Sequence, residues 1–166
     1  MENASRALII AGGVLIGILV LGLAVVLYTT FREDASTTAE QIEKDRVMQF
    51  NSQFSLYIEK SNATDKPLEP YLDIYDVINL ASTAKECNRR YGYTSKQDAN
   101  DNDLYVQIEA NTSDILASNN LEEDVNANKN TWLIDNSINS KKYIINKVEY
   151  SSVTGRIKYI EIKPKT

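Results

Sequence analysis

From Ala7 to Phe31 the sequence carries no charged side chain, and every other expectation about this chain depends on that run. About 20 apolar residues cross a hydrocarbon core of roughly 30 Å, so Ala7–Phe31 is long enough to span a bilayer with some tilt. Arg6 and Arg32 bracket the run, and Tyr28 and Phe31 stand where an interfacial aromatic belt belongs. A soluble core rarely uses so long an uncharged stretch. A cleaved signal peptide has an apolar region of about 7–15 residues followed by a small-residue cleavage site. This run is longer, and no such site comes after Phe31. The expectation is a single-pass anchor in the cell membrane, with a short tail (residues 1–6) in the cytoplasm and residues 32–166 outside it. The lipid bilayer is then the first partner. Within the span, Gly13 and Gly17 have the four-residue spacing that lets two helices approach closely in lipid, which makes them the candidate packing face.

The segment beyond the anchor is long enough for one domain with its own core. Its charge is uneven. Residues 32–140 hold ten Lys and Arg against twenty Asp and Glu, whereas residues 141–166 hold seven against two. An acidic body excludes nucleic acid as the expected partner, because phosphate binding needs a basic footprint. The basic tail is expected to lie against the acidic body, its own or a neighbour's. Cys87 is the sole cysteine and there is no histidine. A thiol nucleophile usually needs a base beside it, so Cys87 reads as a small buried apolar residue. An extracytoplasmic domain without disulfides suits a bacterial envelope.

Between Gly22 and Gly92 there is no glycine, and the first proline is Pro67. The helix begun in the membrane therefore has no stop at its surface, and one helix is predicted from about Ser5 to Glu59, with Ser36-Thr37-Thr38 as a place for a bend. Its later part is amphipathic. Ile42, Val47, Phe50, Phe54 and Ile58 form a stripe that needs a covering layer. Residues 61–71 read as loop. A second helix is predicted at Ile74–Tyr91, capped by Asp73 with Asp76 in its first turn and stopped by Gly92. Leu104–Ala110 alternates with period two and reads as a strand that turns Leu104, Val106, Ile108 and Ala110 inward. Residues 111–140, rich in Asn, Asp and Ser, read as loop with a short element at Thr131–Ile134. Lys142–Tyr150 and Arg156–Ile162 read as two strands of a hairpin closed by Ser151–Gly155. The fold class expected is α+β, with a small antiparallel sheet of at least three strands packed on the amphipathic half of the long helix.

Little in the sequence carries chemistry. Asp98, Asn100, Asn102 and Glu109 fall at positions 1, 3, 5 and 12 of a calcium-loop spacing, but position 6 is Asp103 where such loops have Gly. Glu109 also falls in the predicted strand. A weak site using Asp98, Asp101 and Asp103 is the most that this segment supports, and no tight metal site is expected. Without histidine there is no Ser-His-Asp triad or His-based acid–base pair, and the two glycines after the anchor, Gly92 and Gly155, form no phosphate-binding loop. Neither an enzyme nor a cofactor is expected.

An apolar N-terminus, a long helix half apolar and half amphipathic, and a C-terminal sheet to cover it resemble the layout of type IV pilins and the related pseudopilins. The resemblance is architectural and covers the whole chain. It implies that Ala7–Tyr28 bundles with the same segment of other copies or of related subunits. It also implies that the sheet covers Val47, Phe50, Phe54 and Ile58. In that family a short basic leader ending in Gly precedes a methylated aromatic residue, with Glu at the fifth mature position. Met1–Arg6 holds no such Gly, and Glu2 lies outside the apolar run. The function expected is that of a membrane-anchored structural or assembly subunit. The rival is a membrane-tethered binding or accessory module that forms no filament.

Overall fold

A computed structural model describes residues 2–62, 70–99, 103–112 and 116–165. The first helix, α1, runs Glu2–Asn62. By contacts the chain divides into two units, residues up to Asp45 and Arg46–Thr166. The first unit is helix alone and exposed throughout its described residues. The predicted bend at Ser36-Thr37-Thr38 does not break it. The Thr37 hydroxyl donates to the Glu33 carbonyl at 3.0 Å, which occupies the polar group that would otherwise compete with the helix. Thr29 and Thr30 both donate back to the Val26 carbonyl in the same way.

The second unit is α+β. After the last part of α1 come α2 (Ile74–Arg90), the short α3 (Lys96–Ala99), β1 (Gln107–Ala110), α4 (Leu121–Ile134), the short α5 (Asn136–Asn139), β2 (Tyr143–Tyr150) and β3 (Ile157–Pro164). Asp73 caps α2 as its sequence implies. Its carboxylate accepts from the Asp76 amide, and the Asp76 carboxylate accepts from the Asp73 amide, which satisfies two donors the helix start leaves open. Gly92, at φ +83°, takes the left-handed conformation that ends α2, and its amide donates to the Arg89 carbonyl.

The sheet corrects one expectation. β2 and β3 form the predicted antiparallel hairpin, but β1 pairs with β3 in parallel, Gln107 opposite Tyr159 and Ala110 opposite Ile162. The order is β1-β3-β2, so the sheet is mixed rather than antiparallel. The connection from β1 leaves the sheet through α4 and α5 and returns along β2 before β3 enters between the two. A second correction is α4. Residues 121–134 are helix, not loop, because Leu121, Val125 and Trp132 recur on one helical face and all three are buried. Glu122, Glu123 and Asp124 in its first turn suit the positive end of the helix dipole. The Asn-rich composition lowers propensity, and burial of that face overrides it.

One core joins these elements. Phe50 and Phe54 of α1, Val77, Leu80, Ala81 and Ala84 of α2, Val106, Ile108 and Ile160 around the sheet, and Leu121 and Trp132 of α4 belong to a single buried cluster. Fully burying a side chain such as Phe54 contributes about 1.5–3 kcal/mol. Two side-chain amides then lock irregular backbone to this core. Asn51 donates to the Gly155 carbonyl at 3.0 Å and accepts from the Ile157 amide at 2.9 Å. Asn88 donates to the Val106 carbonyl at 2.8 Å and accepts from the Val106 amide at 2.7 Å. Each amide presents one donor and one acceptor to the backbone, as a neighbouring strand would. The hairpin turn is held further by Arg156, whose guanidinium lies over the Phe50 ring at 5.2 Å and over the Tyr91 ring at 5.3 Å.

Candidate functional site

The residues singled out by sequence fall in three places. Gly13 and Gly17 lie in the first unit. A Cβ placed on either would meet no atom within 4 Å, so both small faces are open. Around them the apolar side chains from Leu8 to Phe31 are all exposed, and no part of the run is buried. The chain thus has one helix near its N-terminus that is long and apolar enough to cross a membrane.

The stripe divides. Phe50 and Phe54 are buried, Val47 and Ile58 are half-buried, and Val47 reaches the hairpin turn, with its Cγ1 3.6 Å from where a Cβ on Gly155 would stand. Gly155 itself sits at φ +71°, the left-handed geometry the turn requires. Ile42, counted with the stripe, is 48% exposed and lies in the first unit. Five residues before Val47, it stands about 140° round the helix, off the face that Val47, Phe50, Phe54 and Ile58 share.

Of the calcium-like spacing, Asp98, Asp103 and Glu109 lie among the described residues. Asp98 lies in α3, where its exposed carboxylate accepts from the Thr94 hydroxyl. That bond and the Ser95 hydroxyl hold it below the usual carboxylate range. Asp103 lies in a turn, and Asp101, with Asn100 and Asn102, falls outside the described residues. Glu109 is in β1 and accepts from the Tyr159 hydroxyl at 2.8 Å. Among the described residues no three acids or cysteines come together as metal ligands. Cys87 is buried, and burial pushes its thiol above the ordinary range, away from the reactive thiolate.

Sequence reasoning missed the most unusual titratable group. Glu122, in the first turn of α4, is 1% exposed. Its carboxyl accepts from the Tyr105 hydroxyl and from the Ile108 amide, both at 2.8 Å. Glu123 beside it accepts from the Lys96 amide at 2.8 Å and from the same Tyr105 hydroxyl at 3.2 Å. Burial pushes Glu122 up to about 7, against the pull of the two bonds that favour its charged form. The same burial, with two carboxylates alongside, raises Tyr105 far above the usual phenol range. Tyr105 is itself buried, whereas the period-two reading of Leu104–Ala110 turned it outward. The segment before Gln107 is not strand, so the alternation does not extend back to it. The cluster ties α3, β1 and α4 together and can hold or release a proton near neutrality. The adjoining cavity, about 80 Å³, is lined by Lys85, Asn88, Arg89 and Tyr93 together with Tyr105, Glu122 and Glu123 of the cluster. Nothing in the linear pattern distinguishes Glu122 from the acids next to it.

Comparison with protein-family models, with curated proteins and with solved structures finds no match to this chain.

Proposed function

We propose that the chain is a membrane-anchored structural or assembly subunit, pilin-like in layout, that self-associates through its N-terminal helix. The observation that carries this reading is the contrast within α1. Its first part offers only apolar side chains around open glycine faces, and its last part is built into the core of an α+β unit. In lipid, apolar side chains gain little by leaving one hydrocarbon surface for another, so helix association depends on close packing at small residues. Gly13 and Gly17 are the places where that packing is available. The domain stands outside the cytoplasmic membrane and the N-terminus inside. The chain carries no catalytic activity in this reading, and its partners are lipid and copies of itself or related subunits.

The test is a cross-linking and size comparison of the full-length chain in membranes, wild type against the double substitution Gly13→Leu with Gly17→Leu. Loss of oligomers in the variant, with unchanged membrane retention, is the result expected. Oligomers unaffected by both substitutions would refute packing at this face. A wild-type chain monomeric in membranes would favour the tethered module instead. Orientation is read separately with Ser152→Cys in the exposed hairpin turn. Because Cys87 is buried, an impermeant thiol reagent on intact cells reports the new cysteine almost alone. Labelling is expected, and its absence until the cells are opened would place the domain inside.

A further inference from the structure

The sheet face turned away from the core carries a hollow of about 430 Å³. One cross-strand row runs through it. Gln107 of β1 stands opposite Tyr159 of β3, and Tyr159 stands opposite Glu149 of β2. Three lysines from three elements line the hollow around this row: Lys96 of α3, Lys147 of β2 and Lys158 of β3. Lys96 donates to a neutral partner, the Gln107 side-chain oxygen, at 2.7 Å. Lys147 pairs with Glu149 at 2.5 Å. The Lys158 side chain makes no hydrogen bond among the described residues; behind the Lys147 bond, its charge also helps hold the Glu149 carboxyl below the usual range. The lining therefore holds three cations against one acid, with Glu161 opposite Lys147 and Glu109 bonded to the Tyr159 hydroxyl further along the same face, outside the hollow. Like charges gathered on one sheet face repel, and a concavity concentrates their field on whatever enters it. The Tyr159 ring, 6.0 Å from the Lys147 ammonium, adds an aromatic surface beside the charges.

We propose that this hollow binds a small molecule bearing an oxyanion group, phosphate or carboxylate, with Lys158 as its first contact. Glu149 holds Lys147 in the empty hollow, and the ligand's oxyanion takes over that ammonium when it enters. Lysine suits this role as a point charge that does not require one fixed anion geometry. The inference stands apart from self-association through α1, since a subunit and a tethered module can both carry the site.

Calorimetric titration of the full-length chain in detergent micelles at about 150 mM salt, where surface fields are strongly screened, tests it. Phenyl phosphate and benzoate are the probes, and tighter binding of one over the other names the oxyanion. Saturable one-to-one binding is expected. Lys158→Gln should weaken it about fivefold, the worth of one contact between unit charges in water. Glu149→Gln should strengthen it, because the internal competitor is gone. Lys163→Gln, on the same strand but outside the hollow, should leave it unchanged. Failure of both probes to saturate by about 10 mM, a range weaker than any specific small-ligand site, would overturn the proposal. So would equal weakening by Lys163→Gln and Lys158→Gln, or weaker binding in a folded Glu149→Gln chain.

Discussion

Residues 8–31 and residues 47–58 belong to the same helix, and both are rich in large apolar side chains, yet they do opposite things with them. In the first stretch the apolar groups surround the helix and all are exposed; in the second, Phe50 and Phe54 are buried and Met48 and Leu56, on the other side, are not. The difference lies in arrangement. Apolar side chains all round leave no polar face to turn toward water, so only an apolar solvent or other helices can cover them. A single stripe can be covered from one side, and Phe50 and Phe54 are, in the core they share with α2, α4 and the sheet.

That contrast can be broken in order of expected effect. Phe54→Asp places a carboxylate in the shared core, and urea unfolding of the full-length chain in micelles should show a loss of at least about 4 kcal/mol. An unchanged midpoint would mean that the stripe is not packed as described. The second effect depends on pH. Glu122 has a folded-state pKa of about 7, above its unfolded value of 4.5. Its contribution is therefore fully present below pH 4.5 and is lost as pH rises toward 7, because the unfolded chain releases the proton first. The loss is at most about 3 kcal/mol. Carboxylates held low, such as Glu161 with its Asn146 and Asn111 donors, slope the other way, so the quantity to measure is wild type minus Glu122→Gln across this window. A difference that stays flat would show that Glu122 is charged in the folded chain at all these pH values. Third, Asn51→Ala removes both amide bonds to the hairpin and should cost about 2 kcal/mol, with hydrogen exchange faster at Ile157. The smallest effects sharpen the comparison from the other side. Leu19→Ala and Ile42→Ala should each change the unfolding of the second unit by less than about 0.5 kcal/mol, as exposed positions do. A larger loss for Ile42→Ala would mean that a covering layer reaches further along the helix than the stripe's buried residues indicate.

The sequence made the two parts of α1, the capped α2 and the β2–β3 hairpin readable because each rests on local signals: an uncharged run, an Asp73–Asp76 cap, and Gly155 between two alternating segments. Two features were hidden for a common reason. The helix α4 is written in residues of low helical propensity, and only Leu121, Val125 and Trp132, spaced four and seven apart, mark it. The parallel pairing of β1 joins residues about fifty positions apart, and no local pattern states a partner so distant. The candidate sites obeyed the same rule. Exposure at Gly13 and Gly17 was legible from the apolar run. The burial of Glu122 and the gathering of Lys96, Lys147 and Lys158 depend on which elements meet, and each residue alone looks like any solvated charge.

The position of β3 between β1 and β2 has a consequence for how the molecule comes into being. Both neighbours precede it in the chain, so while the polypeptide is being synthesised neither has a strand to pair with until Ile157–Pro164 has been made. The apolar helix, by contrast, is made first and needs no later residue to be helical. The apolar helix is thus complete well before the second unit has a sheet, and for that interval Ile108, Ile145 and their neighbours are without the strand that shelters them. A chain cut short anywhere before β3 would lose both pairings at once, leaving the long helix joined to a unit whose apolar segments stay exposed to aggregation and proteolysis.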